Sequence, residues 1–489
     1  MATSDSRSNP PAGAAGAAPN ASRQKWTVIL ASFASFMVGL DVLVVTTALP
    51  TLHEELDAGA AGLGWTINAY ELGFAALILT GAALGDRFGR RLFFLTGLGI
   101  FTISSLFCAL SPNIEALIAA RAFQGMGGGI AIALALAVIT DATPPEQRGA
   151  AFGIWGAVSG VAVSFGPIVG GAITQTLSWH WIFWLNVPVG AVVILLGFRE
   201  IGESQGQARS FDILGLLLST VGVFGIAQAL IRGGEAGWTE GTVQFGFVGG
   251  VVALVLFLLW ERRTAEPMMP LGMFRNRSFT GGCLVSFVLA AILYGIGFVF
   301  AQYLQLALGN EPLGVGLRML PWVALAIFIS PMAGKIADKS GERPLLFIGL
   351  LLHGIAFLII GLVATTTTSY LTLALPLLLA GVGVAIAFPT AASAVMRSVE
   401  PAVVGMAAGV SNTIRQVGAV FGVACAAAVF TSTGGYDSPQ QFVDGFVPAL
   451  MALTVVTFLG VLASLMIRHP ESPIHPPVPA EAQPWTGRA

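Results

Sequence analysis

Apolar runs of about 20 residues, the length that crosses a bilayer's hydrocarbon core, recur along this chain from Trp26 to about residue 467. Lipid offers no partner to a backbone N–H or C=O, so a chain of this pattern folds as a bundle of membrane-spanning helices. Fourteen runs can be placed, the first over 26–50 and the last over 443–467. Charged residues fill only 10% of the 489 positions, against about 25% in soluble domains. The loops between runs are short, so one polytopic all-α membrane domain is expected, in contact with the lipid bilayer and with no nucleic acid as partner.

Cys108, Cys283 and Cys425 each fall inside an apolar run with no metal-ligand or redox spacing, and read as small packing residues. The five histidines are scattered singly, so no metal is expected. Two tails flank the runs, residues 1–25, which read as disordered, and residues 469–489. The first of them is rich in Ala, Gly, Pro, Ser and Asn and cannot bury enough apolar surface to fold.

Basic residues in membrane proteins gather on the cytoplasmic side. If the N-terminus is cytoplasmic, the two tails and every second loop hold 19 of the 23 Lys and Arg, leaving Arg121, Arg232, Arg318 and Arg415. Both termini are therefore expected in the cytoplasm and the number of spans is even. A multi-pass protein of the cytoplasmic membrane follows.

The densest charge lies in GAALGDRFGRR, residues 81–91, and a weaker copy, GKIADKSGERP, occupies 334–344. Aligning Asp86 with Asp338 also aligns Gly89 with Gly341 and Arg91 with Arg343. The copies follow the second and tenth runs, so two six-helix halves are separated by two inserted helices. The expected division is 26–200, 201–263 for the insertion, and 264–468. Internal repeats of this kind build many secondary transporters, with the substrate path between the halves.

These residues resemble the major facilitator superfamily, and within it the fourteen-helix drug:proton antiporter branch. GAALGDRFGRR is similar to the superfamily's motif between helices 2 and 3, with Ala82 at a usual glycine position. LDVLVVTTALP (40–50), RAFQGMGGG (121–129), GPIVGG (166–171) and WHWIFWLNVPVG (179–190) resemble signatures of helices 1, 4, 5 and 6. Departures stand at Thr46 or Thr47 for an asparagine, Ala162 for a glycine and His180 for an arginine. The resemblance implies a major facilitator fold with 14 transmembrane helices.

Asp41 and Glu71 lie near the middle of the first and second runs, where a carboxylate is costly unless it faces a partner or a wet cavity. Each is either a reversible proton carrier or a permanently bonded packing acid. Arg121 stays charged and either couples these acids to protons, as the resemblance implies, or forms a structural ion pair. Gly166, Pro167, Gly170 and Gly171 suit a close, bendable helix contact, and the resemblance links this motif to exporters. Asn412 and Arg415 shape a cavity, close a gate or serve structure. Gly85, Asp86, Arg87, Gly89 and Arg90, with Asp338, Gly341 and Arg343 in the second half, read as a conformational latch rather than an active site.

The expectation is a monomeric proton-coupled exporter of small hydrophobic or cationic drug-like substrates, working by alternating access. It needs no cofactor, since the proton gradient supplies the energy and no P-loop is present. A dedicated exporter of one natural product fits the same residues, and a nutrient uptake carrier of the same fold is a weaker rival. A membrane-embedded enzyme would need a catalytic cluster and a sizeable soluble domain, and a receptor that transports nothing is a further rival.

Overall fold

The computed structural model describes residues 21–144, 147–205, 212–264, 267, 269–400 and 404–468. The tail over 469–489 and most of that over 1–25 lie outside them. Every regular element among the described residues is helical. The first set is α1 (Ala21–Leu56), α2 (Ala60–Phe88), α3 (Arg90–Ala109), α4 (Ile114–Ala142), α5 (Arg148–Thr176), α6 (His180–Trp184) and α7 (Asn186–Glu200). Next come α8 (Ile213–Ala236) and α9 (Gly241–Glu261). The last set is α10 (Arg277–Gln302), α11 (Pro312–Val323), α12 (Ala326–Ser340), α13 (Glu342–Val363), α14 (Tyr370–Arg397), α15 (Val404–Thr433) and α16 (Pro439–Ser464).

Twelve of these helices, counting α6 with α7 and α11 with α12, are long and apolar enough to cross a membrane, and α2, bent by 42°, makes thirteen. The fourteenth expected range, 149–174, is covered by the helix α5. Large apolar side chains point outward along the bundle, Phe245 and Leu371 each being 82% exposed. That much outward-facing apolar surface is tolerable in lipid and not in water.

Helix ends follow local chemistry. Asn113 caps α4 by accepting from the Ala116 N–H (2.9 Å), and Ser438 caps α16 through Gln441 (3.2 Å). Two spans expected to be continuous are broken. The run over 181–199 divides at Leu185 because Pro188 has no N–H to offer the carbonyl one turn back. The run over 315–337 divides between Val323 and Ala326, flanked by Pro321 and Pro331. The helix α10 runs on through a π turn at Tyr303–Ala307.

The helices α1–α7 pack chiefly on one another, as do α10 and α12–α16, while α11 packs most heavily on α5. Gly125 and Gly129 of α4 lie so close to the Tyr70 and Phe74 backbone of α2 that a Cβ at either would collide. The pair α8/α9 closes on itself through Gly222, Gly225 and Gly250, and α8 rests on α2 and α15 around Leu72, Ala227 and Val420.

One apolar core, running from Leu40 and Leu63 in the first set to Phe300 and Phe446 in the last, joins the two sets at the end away from the basic loops. At the basic end the core is divided, with a cluster around Phe94 and Val138 in the first set and another around Phe279 and Val410 in the last.

Candidate functional site

Asp41, 2% exposed, comes from the middle of α1, and Arg121, 1% exposed, from the second turn of α4. They form a direct ion pair. The Asp41 carboxylate also accepts from Gln124 Nε2 and Asn186 Nδ2, each at 2.8 Å. Ser105 Oγ of α3 accepts from the same two amides, at 2.6 and 3.0 Å. Arg121 additionally donates to Gln124 Oε1 (2.7 Å) and to the Thr66 carbonyl (3.2 Å), and lies 4.2 Å from the Tyr70 ring centroid. Five helices, α1 to α4 and α7, are thereby tied at one buried point. An ion pair this dry persists only because further hydrogen bonds on both groups offset the loss of water.

Gln124, Asn186 and Ser105 are partners that sequence reasoning did not single out. Gln124 is three residues from Arg121 on the same helical face, which is a legible signal. Asn186 is a lone amide in an apolar run, and Ser105 carries no signal in sequence.

Glu71 stands apart from this network. It is fully buried on α2; its Oε2 accepts from Gln416 Nε2 of α15 at 2.6 Å, while its Oε1 has no partner among the described residues. This bond links the first helical set to the last. Arg415 stands beside Gln416 on α15. Its own contacts are Asn412 Oδ1 (3.1 Å) and the Phe388 ring, 5.7 Å from centroid to guanidinium.

The glycine motif of α5 lies against two neighbours. A Cβ on Gly170 would strike Thr47 and Val44 of α1, and one on Gly171 would strike the Pro312 backbone of α11; Gly316 meets Pro167 in the same way. Further ties between the two sets lie nearby: Leu313 N–H to Gln175 Oε1 (3.1 Å), Gln305 Nε2 to the Thr47 carbonyl (2.9 Å), and the His53 and Tyr436 rings at 4.3 Å. Gly171→Val is expected to hold this end open. Overpacking of a close contact costs about 1–3 kcal/mol, so labelling of a cysteine at position 305 by an impermeant thiol reagent rises about tenfold.

In the loop after α2, Arg90 Nε donates to Asp86 Oδ1 (2.8 Å) and its Nη1 to both oxygens of Asp141 on α4 (2.7 and 2.8 Å). Glu203, beyond α7, accepts from the Arg91 and Leu92 N–H groups at the start of α3 (3.0 and 3.3 Å). Gly89 sits at φ 128°, where a side chain is strained, and a Cβ there would run into Glu203; a Cβ on Gly85 would run into Leu134. Arg87 lies 5.4 Å from the Phe88 ring. Asp141 and Glu203 are far in sequence from the motif, so only the fold brings them to it.

In the copy, Gly341 repeats the turn at φ 78° and Arg343 is exposed, while the Asp338 side chain lies outside the described residues. Asp86→Asn is expected to leave stability within about 0.5 kcal/mol, as for other partly exposed pairs. It should slow transport without changing the order in which substrates are accepted, which initial rates on a substrate panel measure.

Two helical sets with lipid-facing exteriors, a shared core at one end and buried charge where they meet have the architecture of a secondary membrane transporter. The Major Facilitator Superfamily model matches residues 31–423 and 282–488. The methylenomycin A resistance protein of Streptomyces coelicolor is 33% identical over 437 residues, covering 89% of this chain and 90% of that protein. The puromycin resistance protein pur8 of Streptomyces alboniger is 35% identical over 463 residues, covering 91% and 92%. The multidrug resistance protein Stp of Mycobacterium tuberculosis is 33% identical, covering 84% and 76%. In fold, a POT family transporter crystallised with a thioalcohol-conjugated peptide superposes with a TM-score of 0.68 at 17% identity, over 90% of this chain and 96% of that one.

The chain belongs to the major facilitator superfamily. It is a multi-pass membrane transporter and not an enzyme.

Proposed function

We propose that this protein exports small hydrophobic or cationic drug-like molecules in exchange for protons, conferring resistance on the cell that carries it. Relatives named for resistance to methylenomycin A and puromycin and for multidrug resistance support the substrate class. The observation that carries the coupling is Glu71, a fully buried carboxyl with one unpartnered oxygen, bonded through the other to the opposite helical set. Asp41 accepts from three donors spread over both its oxygens, Arg121 and two amides, whereas among the described residues Glu71 accepts from one, so Glu71 has the more open site for a proton. Glu71 is the exchanging group, and the Asp41–Arg121 pair holds the first set rigid around it.

A proton on Glu71 removes the charge to which Gln416 donates, and so changes the balance between closed and open arrangements of the α2/α15 seam. A ligand shifts such a balance only by its differential affinity for the two states, and the proton supplies that difference. The protein then works as a monomer of fourteen spans in the cytoplasmic membrane, with both termini in the cytoplasm. In this orientation the ties between α5 and α11 close the outer end, and the motif loops lie at the inner mouth.

The test is transport in proteoliposomes with an imposed pH gradient, using puromycin as probe alongside a panel of lipophilic cations. Uphill movement that survives collapse of the gradient would remove proton coupling. A second reading is a dedicated exporter of one natural product, favoured by relatives whose names carry single antibiotics. Resistance to one compound alone on expression in a sensitive host would select it.

A further inference from the structure

The repeat that aligns Asp86 with Asp338 has an offset of 252 residues, and the fold keeps it. Gly89 and Gly341 both turn the chain at positive φ, and both donate to the carbonyl four residues back at 2.9 Å. Gly97 of α3 packs on Ala131 of α4, and their counterparts Gly349 of α13 and Gly383 of α14 pack likewise. The same offset carries Arg90 to Glu342 and Asp141 to Ser393.

Those two counterparts are also bonded. Ser393 Oγ donates to Glu342 Oε1 at 3.0 Å, across the same separation of 51 residues as the Arg90–Asp141 bond. Arg397, one turn beyond Ser393, adds a guanidinium at 3.4 Å from the same oxygen. Glu342 is 3% exposed, whereas Arg343, which the sequence motif singles out, points outward. A buried carboxylate held by a hydroxyl and a guanidinium is a directed contact rather than a solvated surface charge.

We infer that Glu342, with Ser393 and Arg397, is the second half's counterpart of the Arg90–Asp141 clamp with the charges exchanged, and that it positions the α13/α14 ends for the transport cycle. In the first half a cation at the start of α3 grips an anion at the end of α4. In the second, an anion at the start of α13 grips a hydroxyl and a cation at the end of α14. Each clamp lets its helix pair move as one body when the basic end changes shape, the end where the apolar core is divided. The sequence copy points to Asp338 and Arg343, whereas the clamp formed among the described residues of this half is that of Glu342, Ser393 and Arg397.

The consequence for transport rests on the exporter reading; the clamp itself does not. The full chain is reconstituted and the initial rate of puromycin movement is measured for Glu342→Gln, Glu342→Arg, and Glu342→Arg combined with Ser393→Asp, which transplants the first half's clamp into the second. Glu342→Gln is expected to lower maximal turnover about tenfold with KM unchanged, the size of one charge-assisted contact acting only in the moving step. The transplanted pair is expected to recover most of what Glu342→Arg alone loses. Wild-type turnover in Glu342→Gln, or a folded transplant no better than Glu342→Arg alone, would overturn the inference.

A second arm reads the clamp without substrate, by spin labels at the outward-facing positions Ile348 on α13 and Ala392 on α14. A broadened distance distribution in Glu342→Gln supports the clamp and an unchanged one overturns it, and this arm decides if the transplant does not fold. If wild-type protein moves no puromycin but the labels respond, the fault lies with the exporter reading and not with the clamp.

Discussion

Replacing Arg121 with leucine is expected to be the most damaging single change in this protein, lowering stability by about 3–5 kcal/mol, the cost of leaving one member of a buried ion pair alone. Asp41 would keep its two amide donors and lose its counter-charge, and Gln124 and the Thr66 carbonyl would each lose a donor. Arg121→Lys should recover only part of the loss. An ammonium can meet Asp41 but cannot also reach the Thr66 carbonyl with a planar fork while lying on the Tyr70 ring. The check is thermal unfolding in detergent for Arg121→Leu, Asp41→Asn and the double variant. The double variant should be better by roughly 0.5–3 kcal/mol than the sum of the singles, the range for directly coupled residues. Simple additivity would mean that the pair does not act as a unit.

Glu71→Gln is expected to keep the fold and lose the coupling. Glutamine has the same shape and can still accept from Gln416, so the bond between α2 and α15 is retained while the exchangeable proton is gone. One charge moved through 100 mV is worth about 2.3 kcal/mol, so losing one coupled proton lowers the steady-state accumulation ratio about fiftyfold at that potential. Downhill exchange of substrate should persist. Proteoliposomes measured with and without a gradient separate the two quantities. A variant that accumulates probe as the wild type does would return the coupling role to Asp41, whose Asp41→Asn variant is the matching control.

The span pattern was legible because lipid leaves a chain few ways to satisfy its backbone, and a run of apolar residues declares that directly. The interruptions were less legible. Pro188 and Pro321 are visible in sequence, yet proline inside a membrane helix sometimes bends it and sometimes ends it, and neighbours decide which. The glycines of GPIVGG were readable as a close contact, but their partners were not: Gly170 meets α1 and Gly171 meets α11. The charged motif was readable as a loop feature, while the acid that Arg90 grips lies 51 residues away on α4. In the second half the motif copy drew attention to Asp338 and Arg343, and the buried bond belongs to Glu342.

What the sequence determined by itself is the class of solvent, the helical architecture, the basic end and the internal repeat, because each is set by composition and spacing along one dimension. It also named the charges that cannot be idle, since Asp41, Glu71, Arg121 and Arg415 are each costly in an apolar run wherever they point. Their partners were decided only in three dimensions. Asp41 and Glu71 are the same chemistry, but among the described residues Asp41 accepts from three donors over both oxygens, while Glu71 accepts from one and has its Oε1 left over. That difference depends on Gln124, Asn186 and Gln416 arriving from three other helices, and no local pattern encodes which helix faces which. Packing fixes those partners, and the partners determine how many acceptor sites each carboxyl has left open.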